Sequence, residues 1–178
     1  HDDLAGFDGL VTWQLDLLTD ISDAVKQRKF NGVDAVEPIR CAVASGHGIG
    51  KSAITAILIL WIMSTRPHAK GIVTANTSLQ LHTRTWAELG KWRQRCITGH
   101  WFDFSNSHGS MKLVHKAYPD SWRADAQTCE ENKSESFAGL HAANSTPFYI
   151  FDEASAVPDS IWEVAEGGLT DGEPMIFV

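Results

Sequence analysis

Apolar positions recur along this chain with two different periods. Between residues 7 and 29, Leu10, Val11, Trp13, Leu17, Leu18 and Ile21 return at roughly helical intervals, ahead of a charged end and Asn31-Gly32. That spacing predicts an amphipathic helix. Short, dense apolar runs at 39–45 (IRCAVAS), 70–75 (KGIVTA), 147–155 (PFYIFDEAS) and 174–178 (PMIFV) have the length of buried strands. Longer segments fall between them. Residues 51–63 are apolar nearly all round and are closed by Arg66-Pro67, which predicts a helix buried beside a sheet. Residues 78–97 space Leu79, Trp86, Leu89 and Trp92 at helical intervals and end in a basic cluster before Gly99, and residues 159–169 are again helical in pattern.

Residues 100–146 carry the weakest pattern. There, 111–118 (MKLVHKAY) and 121–128 (SWRADAQT) are expected to pair as strands, followed by the polar CEENKSES. Elsewhere strand and helix alternate, which predicts an α/β fold with a mainly parallel central sheet, helices on both faces and right-handed crossovers. The length of 178 residues suits one domain spanning 1–178, and neither an internal repeat nor a low-complexity linker divides it.

Composition narrows the setting. The longest uncharged apolar run, AITAILILWIM, falls well short of the roughly 20 residues a membrane span needs, so no membrane association is expected. Cys41, Cys96 and Cys129 lack paired spacing, which argues against a disulfide framework or structural zinc and for a reducing, cytoplasmic setting. The eight histidines show no ligand spacing, so no metal beyond Mg²⁺ is expected. The chain starts at His1 and its final EPMIFV reads as a strand in mid-fold, so it is expected to be a piece of a longer protein. A formal net charge of −7 is unlike a surface that grips phosphate backbones all over; any nucleic-acid contact would need a local patch.

The chemistry concentrates at residues 45–52, SGHGIGKS, between a predicted strand and a predicted helix. Glycines there let backbone N–H groups curl into a concave nest, and the helix N-terminus adds donors and a positive dipole end, as a triphosphate requires. The candidate cradle is Ser45, Gly46, His47, Gly48, Ile49, Gly50, Lys51 and Ser52, with Lys51 reaching the outer phosphates and the Ser52 hydroxyl on Mg²⁺. Against the pattern GxxxxGK[ST], Ser45 stands where the first glycine belongs. His47 reads as a spacer rather than a metal ligand. The bland alternative is a glycine-rich connector without a ligand.

A hundred residues on, Asp152 and Glu153 close an apolar strand, from which both can project into a crevice at the sheet edge. Asp152 is the candidate metal acid and Glu153 the candidate group that orients and activates an attacking water. The alternative is a solvated acidic turn. A water-activating acid beside the metal acid favours hydrolysis over phosphate transfer, and the absence of NKxD favours an adenine nucleotide over GTP.

With these residues in hand, the chain resembles the ATPase domain of the large terminase subunit, the DNA-packaging motor of tailed phages. TWQLDLL (12–18) resembles the family's adenine-side glutamine motif, with Gln14 reading the base edge and Trp13 packing nearby. SGHGIGKS resembles its deviant Walker A loop, in which the first glycine is often replaced, and FYIFDEAS (148–155) its Walker B strand. VTANTSLQ (73–80) and ESFAGLHA (135–142) resemble the segments after the second strand and before Walker B. The resemblance implies an ASCE-type P-loop NTPase that hydrolyses Mg²⁺-ATP to move double-stranded DNA into a procapsid in the host cytoplasm. It also implies a homo-oligomeric ring, a small terminase subunit and a portal as partners, and a coupling motif and nuclease domain beyond Val178.

An arginine finger is not assigned by the resemblance: Arg40, Arg84 and Arg123 stand as candidates in cis, beside a neighbouring subunit's. The basic end at Arg84, Lys91, Arg93 and Arg95, interleaved with Trp86 and Trp92, fits DNA contact or, more simply, a solvated cationic face beside a buried aromatic stripe. Two other functions fit the same motifs, a helicase-like translocase and an ATP-binding switch that hardly turns over.

Overall fold

The computed structural model describes residues 9–44, 46, 48–107, 109–129, 136–138, 140, 145–154 and 157–178. Its helices are α1 (Thr12–Arg28), α2 (Lys51–Thr65), α3 (Ser78–Gln80), α4 (Trp86–Arg95) and α5 (Asp159–Gly167). Its strands are β1 (Ile39–Cys41), β2 (Lys70–Ala75), β3 (Phe102–Ser107), β4 (Ser110–His115), β5 (Arg123–Thr128), β6 (Pro147–Asp152) and β7 (Met175–Phe177). They form one sheet in the order β1-β7-β6-β2-β5-β4-β3. From β1 to β5 every neighbouring pair is parallel, and β4 and β3 add an antiparallel margin.

The central strands are apolar at consecutive positions because both faces are covered. Along β6, Phe148 and Ile150 belong to the core shared with α2 and α4, while Tyr149 and Phe151 belong to the core shared with α5. The alternation follows from the two-residue period of a strand. On the first face Ile59, Ile62 and Met63 of α2 meet Trp86 and Leu89 of α4; on the second, Ile161 and Ala165 of α5 meet Ile72, Tyr149 and Ile176. Tyr149 also donates to the Phe137 carbonyl at 2.6 Å, and burial pushes its phenol up to about 12. No helix of the described residues is long and apolar enough to cross a membrane.

Three details depart from the sequence reading. The strand expected over 39–45 keeps a regular ladder only to Cys41, although Val43 N–H still donates to the Val178 carbonyl at 2.8 Å. The margin strand β3, FDFSNS, is not anticipated, because an edge strand with one solvated side needs little apolar content. Leu79, expected on the buried helical stripe, is 65% exposed. The cause is a π-turn over Leu81–Thr85 between α3 and α4, where Trp86 N–H bonds the Leu81 carbonyl five residues back. One extra residue in the turn shifts the phase, so that Leu81, Trp86 and Leu89 form the buried stripe instead.

Candidate functional site

The parallel strands end along one edge of the sheet, and the register fixes what meets there. Ala75 pairs with Asp152, and Ile150 and Cys41 both pair with Phe177, so the ends of β1, β7, β6 and β2 lie side by side. The glycine turn leaves this edge after β1. One strand, β7, separates β1 from the acid-bearing β6.

Helix α2 opens at Lys51 behind Gly50, whose φ of 89° lies in the left-handed region; Gly48 sits at 78°. No side chain caps this N-terminus. A helix N-terminus of this kind offers backbone donors and a positive dipole end to an anion. Ile49, between the two glycines, is 37% exposed. Gly46 is exposed as well, whereas Ser45 and His47 lie outside the described residues.

Gln14 braces this turn from α1. Its side-chain amide donates to the Gly50 carbonyl at 3.3 Å and its oxygen accepts from Val11 N–H at 3.1 Å, with the residue only 7% exposed. Both ends of the amide are thus engaged within the protein, and it is Trp13 beside it that lines an adjoining cleft. A Cβ on Gly50 would stand 2.8 Å from the Gln14 amide nitrogen. Gly50→Ala is therefore expected to cost about 1–2 kcal/mol for the left-handed backbone. It should also push Gln14 from its place, and chemical denaturation together with a nucleotide titration would measure both effects.

A cavity of about 480 Å³ opens where α2 faces the end of β6. Gly48, Gly50, Lys51 and Ser52 line one side, and Asp152 and Glu153 the other. A more apolar cleft of about 500 Å³ adjoins it, walled by Trp13 and Leu17 of α1, Ile54 and Leu58 of α2, and Phe177. Lys51, Asp152 and Glu153 line both spaces. Cys41 also lines the cleft, where burial pushes its thiol up.

The two acids are held from the segment that follows β2. Gln80 donates to Glu153 Oε2 at 2.7 Å, and the Arg84 guanidinium lies 3.7 Å from Oε1. Thr85, fully buried, donates to Asp152 Oδ2 at 2.5 Å. Glu153 itself adopts φ 65°, a conformation that is rare outside glycine and that persists only where surrounding contacts enforce it. A hydroxyl from Ser52 and a carboxylate from Asp152 are hard oxygen donors of the kind Mg²⁺ takes, so the residues present suit that ion.

Of the three candidate arginines, Arg84 alone lines the cavity. Arg40 forms a two-pronged pair with Glu166 of α5, at 3.3 and 2.7 Å. Arg123 pairs with Asp125 and stands level with Lys70, five residues before the Ala75 that is level with Asp152. That offset places it about 16 Å away along the sheet. At the basic helix end, Arg93 donates to the Phe102 carbonyl and Arg95 lies over Trp92, so both contribute to packing. Histidines serve packing too: His115 stacks on Trp122 with ring centroids 4.2 Å apart. Gln80 and Thr85 carry no sequence motif of their own. The one signal pointing to them is VTANTSLQ, whose last residue is Gln80.

No protein-family model matches the chain. It is 28% identical over 138 residues to the probable terminase, large subunit, of Enterobacteria phage P7; the match takes in 77% of this chain and 28% of that protein. The chain thus spans under a third of that relative's length. Among solved structures, the large terminase of a thermophilic bacteriophage in complex with ADP superposes with a TM-score of 0.61 at 16% identity, covering 95% of this chain and 38% of that one. The large terminase of bacteriophage HK97 gives 0.61 at 16% identity, with 95% and 33% covered. The ATPase domain of the Thermus phage P74-26 large terminase gives 0.56 at 18% identity, with 99% and 66% covered. The fold is the P-loop NTPase fold of the large-terminase ATPase domains, which the chain resembles in both sequence and structure.

Proposed function

We propose that this chain is the ATP-hydrolysing engine of a phage DNA-packaging motor, a single ATPase domain of a longer large terminase subunit. The observation that carries the reading is the shared cavity, in which the glycine turn and the opening of α2 face two acids at the end of an apolar strand. Backbone N–H groups from Gly46 to Ser52 would wrap the phosphates, and Lys51 would offset the charge on the outer ones. Ser52 and Asp152 would hold Mg²⁺, which supplies charge neutralisation across the outer phosphates. Glu153 would accept the proton of the attacking water, oriented in line with the bond that breaks. The apolar cleft lined by Trp13, Leu17 and Phe177 would suit a nucleotide base, with Gln14, next to Trp13, bonded to the loop at Gly50.

Double-stranded DNA, further copies of the chain in a ring, a small terminase subunit and a portal are the partners this reading implies, and the host cytoplasm is the setting. The direct test is a Mg²⁺-ATP titration of the chain followed by turnover with and without double-stranded DNA. Saturable binding with DNA-stimulated hydrolysis is the expected result. Strand separation would move the assignment to a helicase-like translocase, and tight binding with negligible turnover under every condition would move it to a nucleotide switch.

A further inference from the structure

We propose that Thr85 is a positioning residue for the metal acid: its hydroxyl fixes the Asp152 carboxylate for a divalent cation, and the π-turn exists to bring it there. The inference rests on the ATPase reading above and extends it to a residue outside the phosphate loop and the acidic pair.

Three other helical threonines supply the contrast. Thr19, Thr65 and Thr83 each turn the hydroxyl back onto the carbonyl four residues earlier, at 2.8, 2.7 and 2.7 Å, the usual local bond of a threonine in a helix. Thr85 does otherwise. The Leu81 carbonyl, four residues before it, instead receives Trp86 N–H from five residues on, and the Thr85 hydroxyl reaches across to Asp152. In an uninterrupted helix, residues five apart point about 140° away from each other. The wider turn brings Gln80 and Thr85 onto nearby directions, so that one holds Glu153 and the other Asp152. Thr85 is 0% exposed, whereas Asp152 borders the cavity. One oxygen of the carboxylate is thereby pinned by a group that water cannot replace, and the rotation that would turn Asp152 away from Ser52 is restrained. A metal-binding carboxylate held in this way costs less ordering when the ion arrives, and loss of such a partner typically lowers metal affinity about 10–100-fold.

The experiment is a Mn²⁺ titration followed by electron paramagnetic resonance, on the chain with a non-hydrolysable ATP analogue, comparing the unaltered chain with Thr85→Val and Thr85→Ser. Valine keeps the buried shape and removes the donor; serine keeps the donor. The expected result is at least about 10-fold weaker Mn²⁺ binding for Thr85→Val, with Thr85→Ser near the unaltered chain. Thermal melts accompany each titration, and Thr85→Ala replaces the valine variant if that one melts below the assay temperature. Unchanged Mn²⁺ affinity in the variant lacking the hydroxyl overturns the inference and leaves the ATPase reading standing, as does equal weakening by valine and serine. Failure of the unaltered chain to bind Mn²⁺ with nucleotide overturns the ATPase reading, and the inference with it.

Discussion

Glu153→Gln is expected to lower ATP turnover by about 100- to 10,000-fold, the usual worth of a positioned general base, while nucleotide affinity changes little. The substitution keeps length, shape and an acceptor oxygen. Gln80 can go on donating to that position, as it does to the carboxylate at 2.7 Å. What disappears is the capacity to take a proton from water. The pair with Arg84 disappears with the charge, but at 3.7 Å and with the arginine side chain 61% exposed its contribution to stability is small. Single-turnover hydrolysis measured beside equilibrium binding separates the two steps. Turnover at the unaltered rate would remove Glu153 from the chemistry and, with it, the principal argument for a motor over a nucleotide switch. A parallel loss of binding would assign Glu153 to the architecture of the turn, where its φ of 65° already makes it a strained position.

The fold and the two ends of the candidate site were legible in the sequence for different physical reasons. Strands β2 and β6 announce themselves because burial on both faces demands consecutive apolar residues, and a glycine turn ending in Gly-Lys-Ser announces itself because few residues tolerate φ near +90°. Strand β3 stayed hidden because a margin strand obeys neither constraint. The order of strands stayed hidden as well: no periodicity states that β2 lies beside β6, yet that adjacency is what carries Gln80, Arg84 and Thr85 to the acids. The π-turn is invisible to a helical period for the same reason that Leu79 was misplaced, since a phase shift appears only when the residues on either side are known to pack together. Gln14 was legible as a residue of interest, while its bond to the Gly50 carbonyl required the turn's conformation.

Lys51→Ala is the complementary change, expected to weaken Mg²⁺-ATP binding by about 10- to 150-fold, the equivalent of about 1.5–3 kcal/mol for a hydrogen bond to a charged group. Alanine is the best helix former, so the opening of α2 should survive the substitution and the loss can be read as a lost phosphate contact. Lys51 lines both the cavity at the acids and the apolar cleft, so a nucleotide with its base in the cleft would carry its phosphates past this residue. Lys51→Arg tests shape against charge, because a planar guanidinium keeps the positive charge but cannot occupy the compact position of an ammonium. Strong loss in both variants, with unaltered melting, would mark a fitted phosphate site. Recovery in the arginine variant would reduce the contribution to general attraction, which added salt should then screen away. Isothermal titration at two ionic strengths distinguishes these outcomes. Affinity unchanged in Lys51→Ala would mean that the turn at 45–52 holds no phosphate, and the cavity facing Asp152 and Glu153 would need a different ligand.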